Sequence, residues 1–412
     1  MEFRPILSAL LRSKTGAILV ALQVAISLAI LTNALHIVNV RQAVAARSSG
    51  IADEGSVFNI RVRHLTELTH EEQLARQQAE TAALRAIGGV QAVAFASQSP
   101  MSRSGNTTGI AARRDATGQA TPTSQYYTAD SLVKAWGLKL VEGRDLGPGD
   151  LVDVDGNTSP DEQFPKSVLI TRALGEKLWP GQASFAGKTL FFGTGEDANS
   201  ATVVGVIETL QTQGAEVGER GTFAVMVPMR VSFNHTMYTV RAEAGQLERV
   251  MKEAEAALRT TSNGRALFRL RKISEDRQDR YRADIALSWM LITVSILLLL
   301  ITASGIVGMA SLWVTQRRKQ IGVRRALGAR RVDILRYFIT ENFIITSVGV
   351  LAGVLLSIAL NQLLVSQLEM SKLPLVYLAV GAAVFWALGV FAVYGPAFRA
   401  ATISPATATR GA

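Results

Sequence analysis

Four stretches of this 412-residue chain, at about 16–38, 285–314, 338–364 and 374–398, each reach the roughly 20 apolar residues that a helix needs to cross about 30 Å of hydrocarbon. No such stretch falls between about 39 and 284. Few architectures satisfy that spacing: one membrane helix, a large water-exposed domain, then three helices joined by short loops. A hydrophobic fraction of 48% fits a membrane protein better than a soluble protein of two domains.

The expected segments are a cytoplasmic N-terminus (1–15), a transmembrane helix (16–38), an extracytoplasmic domain (39–284) and a second helix (285–314). A basic cytoplasmic loop (315–337), two further helices (338–364 and 374–398) and a cytoplasmic tail (399–412) complete the chain. Orientation follows from basic residues near span ends, which stay on the cytoplasmic side. Arg4, Arg12 and Lys14 precede the first span, eight Lys/Arg lie between Gln316 and Glu341, and Arg399 and Arg410 follow the fourth span. The loop between spans three and four offers only Lys372 against Glu369. Both termini are therefore expected inside, and the large domain outside.

The net charge of +10 resides almost wholly in those cytoplasmic segments, and the outer domain is close to neutral. Nucleic acid is thus not an implied partner; membrane lipid is. With no cysteine in the chain, the outer domain must be held by an apolar core rather than by bridges. The first apolar run exceeds the usual signal-peptide core of about 7–15 residues and reads as an uncleaved anchor.

Two stretches of the outer domain read as βαβ units. The first is VFNIRVR (57–63), a helix over about 70–87 opened by Thr69 with Glu72 three residues on, and VQAVAFA (90–96). The second is TMYTVRAE (236–243), a helix over 246–258, and LFRLRKI (267–273). Two such halves can share one sheet with both helices on one face, as in ferredoxin-like folds. The Gly-, Thr- and Asp-rich chain between them, about 100–235, reads as a second, β-rich subdomain with short strands such as SVLI (167–170) and ATVVGVI (201–207). The fold class expected is therefore four transmembrane α-helices with a large α+β extracytoplasmic domain, two βαβ halves enclosing a β-rich insertion.

Charge alone would make the basic loop a topology anchor. It does not explain Val323, Ala326 and Leu327, which recur at i, i+3 and i+4 on a short helix that Gly328 can terminate before Arg330 opens the next one. Such a helix presents a small apolar knob ringed by guanidinium groups, suited to docking in a groove of a soluble subunit.

The loop resembles that of MacB/FtsX-type permease subunits of ABC transporters on Lys319, Ile321, Gly322, Val323, Arg324, the run Ala326, Leu327, Gly328, Ala329, Arg330, then Asp333, Ile334 and Glu341. The likeness continues in VEGRDL (141–146), VLITRALGEKLWPG (168–181), AGKTL (186–190) and VVGVI (203–207), which are similar to the MacB-like periplasmic core domain. YGPAFRAATISPATATR (394–410) is similar to the family's closing pattern, with Phe398 and Thr409 departing from it.

The resemblance implies a bacterial inner membrane with the large domain in the periplasm, a porter-like outer subdomain with an inserted β-rich one, and outward stalk helices continuing spans one and two. Segments 38–49 and 273–286 fit the stalks, with Gln42, Ala46, Arg277 and Tyr281 as their candidate residues. It implies no catalysis and no cofactor on this chain, ATP and Mg being bound by a separate ABC ATP-binding subunit. A second permease protomer, identical or paralogous, is a further implied partner, as are an adaptor protein and an outer-membrane channel. The implied function is efflux of drugs, peptides or similar substrates by mechanotransmission, with the basic loop as coupling site. Activation of cell-wall hydrolases in the FtsX manner and extraction of lipoproteins are the alternatives.

Other motifs fall short of their chemistry. GQASFAGKT (181–189) ends like a phosphate-binding loop, but five residues rather than four separate its glycines. Asp153, Asp155, Gly156 and Glu162 match part of a calcium loop, but Leu151 takes the first ligand position and Pro160 interrupts it. His36, His64, His70 and His235 form no nucleophile, base and orienter pattern. Gln23, Asn33, Ser295, Thr302, Asn361 and Gln362 inside the spans read as interhelical hydrogen-bonding groups rather than a polar path, and Gly305 and Gly308 as close-contact points.

Overall fold

The computed structural model describes residues 14–66, 68–115, 120–155, 164–232, 235–261, 266–368 and 372–402. Most of the expected N-terminus and tail, with Gly156, Pro160, Glu162, Glu369 and Arg410, lie outside those residues. The chain forms two compact units, one of residues 1–43 and 284–412 and one of residues 44–283.

Helix α1 (Lys14–Ala46) carries the first apolar stretch. Among the described residues, three more helices are long and apolar enough to cross a membrane. In the second unit, strand β1 (Val57–His64), helix α2 (His70–Arg85) and strand β2 (Val90–Phe95) make the first βαβ half. The Thr69 side chain accepts from the Glu72 N–H and the Glu72 carboxylate accepts from the Thr69 N–H, closing the capping box that the sequence indicates.

The insertion supplies β3 (Thr107–Ala111), β4 (Thr121–Thr128), the short helix α3 (Leu132–Trp136), β5 (Leu140–Gly143) and β6 (Val152–Asp155). It continues with β7 (Ser167–Thr171), helix α4 (Arg172–Leu178), β8 (Thr189–Phe192), β9 (Asn199–Ile207) and β10 (Ala224–Ser232). The second half is β11 (His235–Ala242), helix α5 (Leu247–Thr261) and β12 (Ala266–Lys272).

The four outer strands form an antiparallel sheet in the order β12-β1-β11-β2. This is how two split βαβ halves interleave when each closes over the other. Along β1, Phe58, Ile60 and Val62 face one way and meet Leu84 of α2 and Val250, Ala254 and Leu258 of α5 in one fully buried cluster. His64, Glu80 and Tyr238 lie buried here too: Glu80 accepts from the Tyr238 hydroxyl (2.8 Å) and sits 3.2 Å from His64 Nε2. Burial first, then the Glu80 charge, pushes the Tyr238 hydroxyl well above its ordinary pKa.

The inserted strands run β4-β3-β8-β9-β7-β10, and β10 pairs back with β4, so the sheet closes on itself. Closure removes the exposed edges that short strands would otherwise present. Alternate residues divide between two cores: Val168, Ile170, Val225 and Val227 join one cluster, while Leu169, Ala224 and Met226 join another. That second cluster also takes Trp136, whose indole N–H donates to the Thr239 hydroxyl (2.8 Å), and Val57, Ala94 and Met237 from the far face of the four-stranded sheet. Val44, Ile273 and Tyr281, at the ends of the two long helices, are buried in the same cluster.

Helix α6 (Ile273–Gln316) returns to the first unit, followed by α7 (Arg318–Ala326), α8 (Arg331–Leu368) and α9 (Leu375–Ala401). Of the four candidate spans α1 is the most covered, 56% of its apolar window being buried against 17% for α6, so α1 is the helix the others pack around. Its polar residues serve that packing. Gln23 donates to the Ile301 carbonyl, Ser27 bonds Thr302, Thr32 donates to Ser357 and Asn33 donates to the Ser357 carbonyl. Ser295 bonds within its own helix, while Asn361 accepts from the Leu373 N–H. A Cβ on Gly305 would strike Gln23, whereas one on Gly308 would meet nothing within 4 Å, so of the two expected close-contact glycines only Gly305 is one.

Candidate coupling loop and stalk base

The run singled out in the sequence begins where α6 ends. Arg317, between α6 and α7, donates its N–H to the Trp313 carbonyl (3.0 Å), so the helical path barely breaks. Its guanidinium reaches both carboxylate oxygens of Glu341 in α8, at 2.9 and 2.8 Å, and Glu341 is 1% exposed. Removing Arg317 would strand the buried Glu341 charge.

Ile321 is buried with Trp313, Ile334 and Phe338, and Gly322 is buried beside it. These two residues fix α7 to the bundle, so the docking face expected over the whole run narrows. A nine-residue helix lying on a bundle must spend one stripe on it, and Ile321 and Gly322 are that stripe. Val323 and Leu327 face outward, 51% and 83% exposed, and Ala326 is exposed beside them.

The loop's cations divide in the same way. The Arg324 guanidinium lies 5.0 Å from the Tyr337 ring centroid, and Arg325 donates to the Ala401 carbonyl (2.9 Å) at the C-terminus of α9, where a cation complements the helix dipole. Arg318, Lys319, Arg330 and Arg331 are exposed.

Gly328, at φ +96°, ends α7 as the sequence indicates. Its N–H donates to the Arg325 carbonyl (3.1 Å) and that of Ala329 to the Arg324 carbonyl (3.1 Å), the paired bonds of a Schellman stop. Asp333 accepts from the Arg330 N–H (2.9 Å) and so caps α8.

The stalk candidates meet a different environment. α1 stops at Ala46, short of the expected 49, and side chains from elsewhere in the outer domain bond the carbonyls at and just beyond its end. Arg277 donates to the carbonyls of Ala45 (2.7 Å) and Arg47 (2.8 Å) and pairs with Glu54 (2.6 Å). Tyr281, 2% exposed, donates to Gln211 Oε1 (2.6 Å), and the Gln211 amide in turn donates to the carbonyls of Arg47 and Ser48. Arg280 holds the carbonyls of Gly214 and Ala215, and Arg47 those of Glu216 and Gly218. Gln42 and Ala46 remain exposed.

Sequence reasoning names Arg277 and Tyr281 but not Gln211, Arg47 and Arg280, because nothing in a loop such as 208–216 signals that it will meet a helix end 160 residues earlier. Glu341 carries a signal, a lone acid close after a strongly basic loop, but its partner among eight cations is not readable.

The remaining motifs resolve as structural. The Glu142 carboxylate accepts from the Ser184 hydroxyl (2.9 Å) and from the N–H groups of Phe185 (2.8 Å) and Ala186 (3.3 Å), occupying donors a phosphate loop would need. Partial burial pushes the Glu142 carboxyl up, yet these bonds outweigh it and its pKa is lowered. Asp153 and Asp155 lie in β6, where Asp153 sits 3.6 Å from Arg230, and no metal-ligand cluster occurs among the described residues.

The family model of the MacB-like periplasmic core domain matches residues 17–257, more than half of the chain. The chain belongs to the MacB-like family. Residues 292–405 match the FtsX-like permease C-terminal model, so the MacB-like part is followed by an FtsX-like one. The macrolide export ATP-binding/permease protein MacB of Chromobacterium violaceum is 26% identical over 279 residues, covering 65% of this chain and 40% of its own length. The pyoverdine export ATP-binding/permease protein PvdT of Pseudomonas syringae pv. tomato is 34% identical over 166 residues, 38% of this chain and 25% of the relative. MacB of Bradyrhizobium diazoefficiens is 31% identical over 159 residues, 38% and 24% respectively. The chain thus spans less than half the length of these curated relatives. A crystal structure of a heavy metal efflux pump aligns over 85% of this chain and 34% of its own at 14% identity and a TM-score of 0.17, too low for a shared fold to be read from it. Four apolar helices and a large β-containing domain fit a MacB-like membrane permease.

Proposed function

We propose that the chain is the permease subunit of an ABC exporter, converting ATP hydrolysis on a separate nucleotide-binding subunit into movement of its outer domain. The observation that carries this reading is the short helix α7, pinned by Ile321 and the Arg317–Glu341 pair while Val323, Ala326 and Leu327 stand outward among exposed cations. Apolar side chains that a soluble partner can bury, on a base that moves with the bundle, are what docking and force transfer require. The relatives' names couple ATP binding with a permease, which supports a reading in which nucleotide drives the work.

Movement would pass through α1 and α6, which continue without a helix break from their apolar windows into the residues rooted in the outer domain. Gln23, Ser27, Thr32 and Asn33 of the first span are used between helices, which favours work outside the bilayer over a polar path through it. A second protomer would cover part of the exposed apolar side of α6, including Trp289 and Leu300. Cargo is proposed as a drug, peptide or similar compound handed to an adaptor and an outer-membrane channel.

The deciding experiment isolates the chain in mild detergent with its attached ATPase, as wild type and as Leu327→Asp. The variant should lose the ATPase, a cost of about 2 kcal/mol or more at the interface, while the permease stays folded. Undiminished complex yield and ATPase coupling would refute the docking reading. Topology is tested separately: Ser200→Cys should react with an impermeant thiol reagent in spheroplasts and Gln316→Cys should not, and reversed labelling would overturn the orientation.

A further inference from the structure

The outer domain is close to neutral in sequence, yet its positive charge is not evenly spread. On the face of the four-stranded sheet away from α2 and α5, a cavity of about 490 Å³ is lined by six arginines, Arg61, Arg103, Arg269, Arg271, Arg280 and Arg282, against two aspartates, Asp276 and Asp279. Arg271 pairs with both aspartates. The lining therefore keeps an excess of four positive charges, and no further acid belongs to it.

This concentration carries a local cost. Arg61 and Arg269 stand directly opposite each other in the antiparallel pairing of β1 with β12, both exposed, and like charges in that position repel. The backbone around them is strained as well. Among the described residues, the non-glycine positions with positive φ are Met101 (60°), Arg103 (61°) and Ala215 (45°). The first two line the cavity, and the carbonyl of the third is held by Arg280, which also lines it. Arg103 donates to the Arg280 carbonyl (3.1 Å), so the strained loop is fastened to the helix that brings Arg280 and Arg282. Left-handed backbone at ordinary residues, gathered at one cavity, marks a place where geometry is kept for a use other than folding.

We propose that this cavity binds a phosphate group, with Arg61, Arg269 and Arg282 as its principal ligands. A guanidinium fork matches the oxygen spacing of a phosphate and bonds it bidentately. A group carrying nearly two charges on three strong acceptor oxygens fits an excess of four better than a single carboxylate does. The phosphate could belong to a lipid headgroup or to a soluble phosphate ester. Nothing in this proposal depends on the coupling role assigned to α7.

The test uses the full chain in nanodiscs of neutral phosphatidylcholine, titrated calorimetrically with pyrophosphate and, separately, with dihexanoyl phosphatidic acid below its micelle concentration. The double variant Arg61→Gln, Arg269→Gln should weaken whichever probe binds at least tenfold, with thermal stability unchanged or raised because the repulsive pair is gone. Arg61→Lys with Arg269→Lys keeps the charge without the fork and should recover only part of the affinity. Tighter binding of the lipid assigns the site to a headgroup, tighter binding of pyrophosphate to a soluble ester, and equal affinities to phosphate alone. Absence of saturable binding, or binding that the double variant leaves intact and Arg330→Gln with Arg331→Gln removes, overturns the proposal. Should the double variant lose stability along with binding, Arg282→Gln decides: it must weaken binding at least threefold, and unchanged affinity there also overturns the proposal.

Discussion

At the N-terminal end of α6, Arg277 and Arg280 donate to four backbone carbonyls, and Tyr281 is buried against Gln211. Beyond the C-terminal end of the same helix, Arg317 and Arg325 are part-buried and Arg324 lies over the Tyr337 ring, but the helix they secure leaves Val323 and Leu327 in the open. Arginine secures both places, through backbone carbonyls at the first and through the Glu341 carboxylate, the Tyr337 ring and the Ala401 carbonyl at the second, and what differs is the remainder. The stalk base has its apolar groups Val44, Ile273 and Tyr281 inside the core between the two outer subdomains. The loop is anchored through one stripe only, and its opposite stripe is apolar surface that a second chain can cover.

That contrast can be broken from the strongest anchor downward. Arg317→Ala leaves Glu341, 1% exposed, without its counter-charge, and unfolding of the purified protein should show a loss of about 3–5 kcal/mol; a loss below 1 kcal/mol would mean that the pair does not anchor the loop. Arg277→Ala removes two carbonyl bonds and the Glu54 pair at the stalk base and should cost roughly 2–3 kcal/mol, with amide exchange accelerated over 44–48. Exchange unaltered there would show that the end of α1 is held by packing alone.

Gly328→Ala forces a Cβ into the left-handed region at φ +96° and should cost about 1 kcal/mol, read as a lowered melting temperature with α8 intact. The smallest effect sharpens the comparison most: Leu327→Asp, at an 83% exposed site, should change the stability of the isolated chain by no more than about 0.5 kcal/mol. Ile321→Asp, six residues earlier and 4% exposed, should prevent folding of the loop. Equal stability losses for these two variants would erase the distinction between anchored and outward stripes.

Much of this was legible locally. Thr69 and Glu72 announce the start of α2, the run Val323, Ala326 and Leu327 announces an apolar stripe, and Gly328 announces a stop, because caps and helix periodicity involve residues within a turn of one another. The length of α1 was not legible: it ends at Ala46, where Arg277 from the far end of the outer domain bonds the Ala45 carbonyl. Nor was the split of the loop arginines, where eight cations look alike in sequence and only the positions of Glu341, Tyr337 and the Ala401 carbonyl decide which turn inward.

The sequence by itself determined four apolar helices, two βαβ halves around a β-rich insertion, and a basic loop with an apolar stripe. Those features follow from hydrophobic length and from spacings of two to four residues, which a chain carries wherever it folds. Tertiary structure alone decided that Phe58 pairs with Lys272, that β10 closes a ring with β4, and that Arg61 and Arg269 share one cavity wall. Periodicity says which face of an element is apolar or charged; what covers that face depends on contacts between residues more than 100 positions apart, which no local pattern encodes.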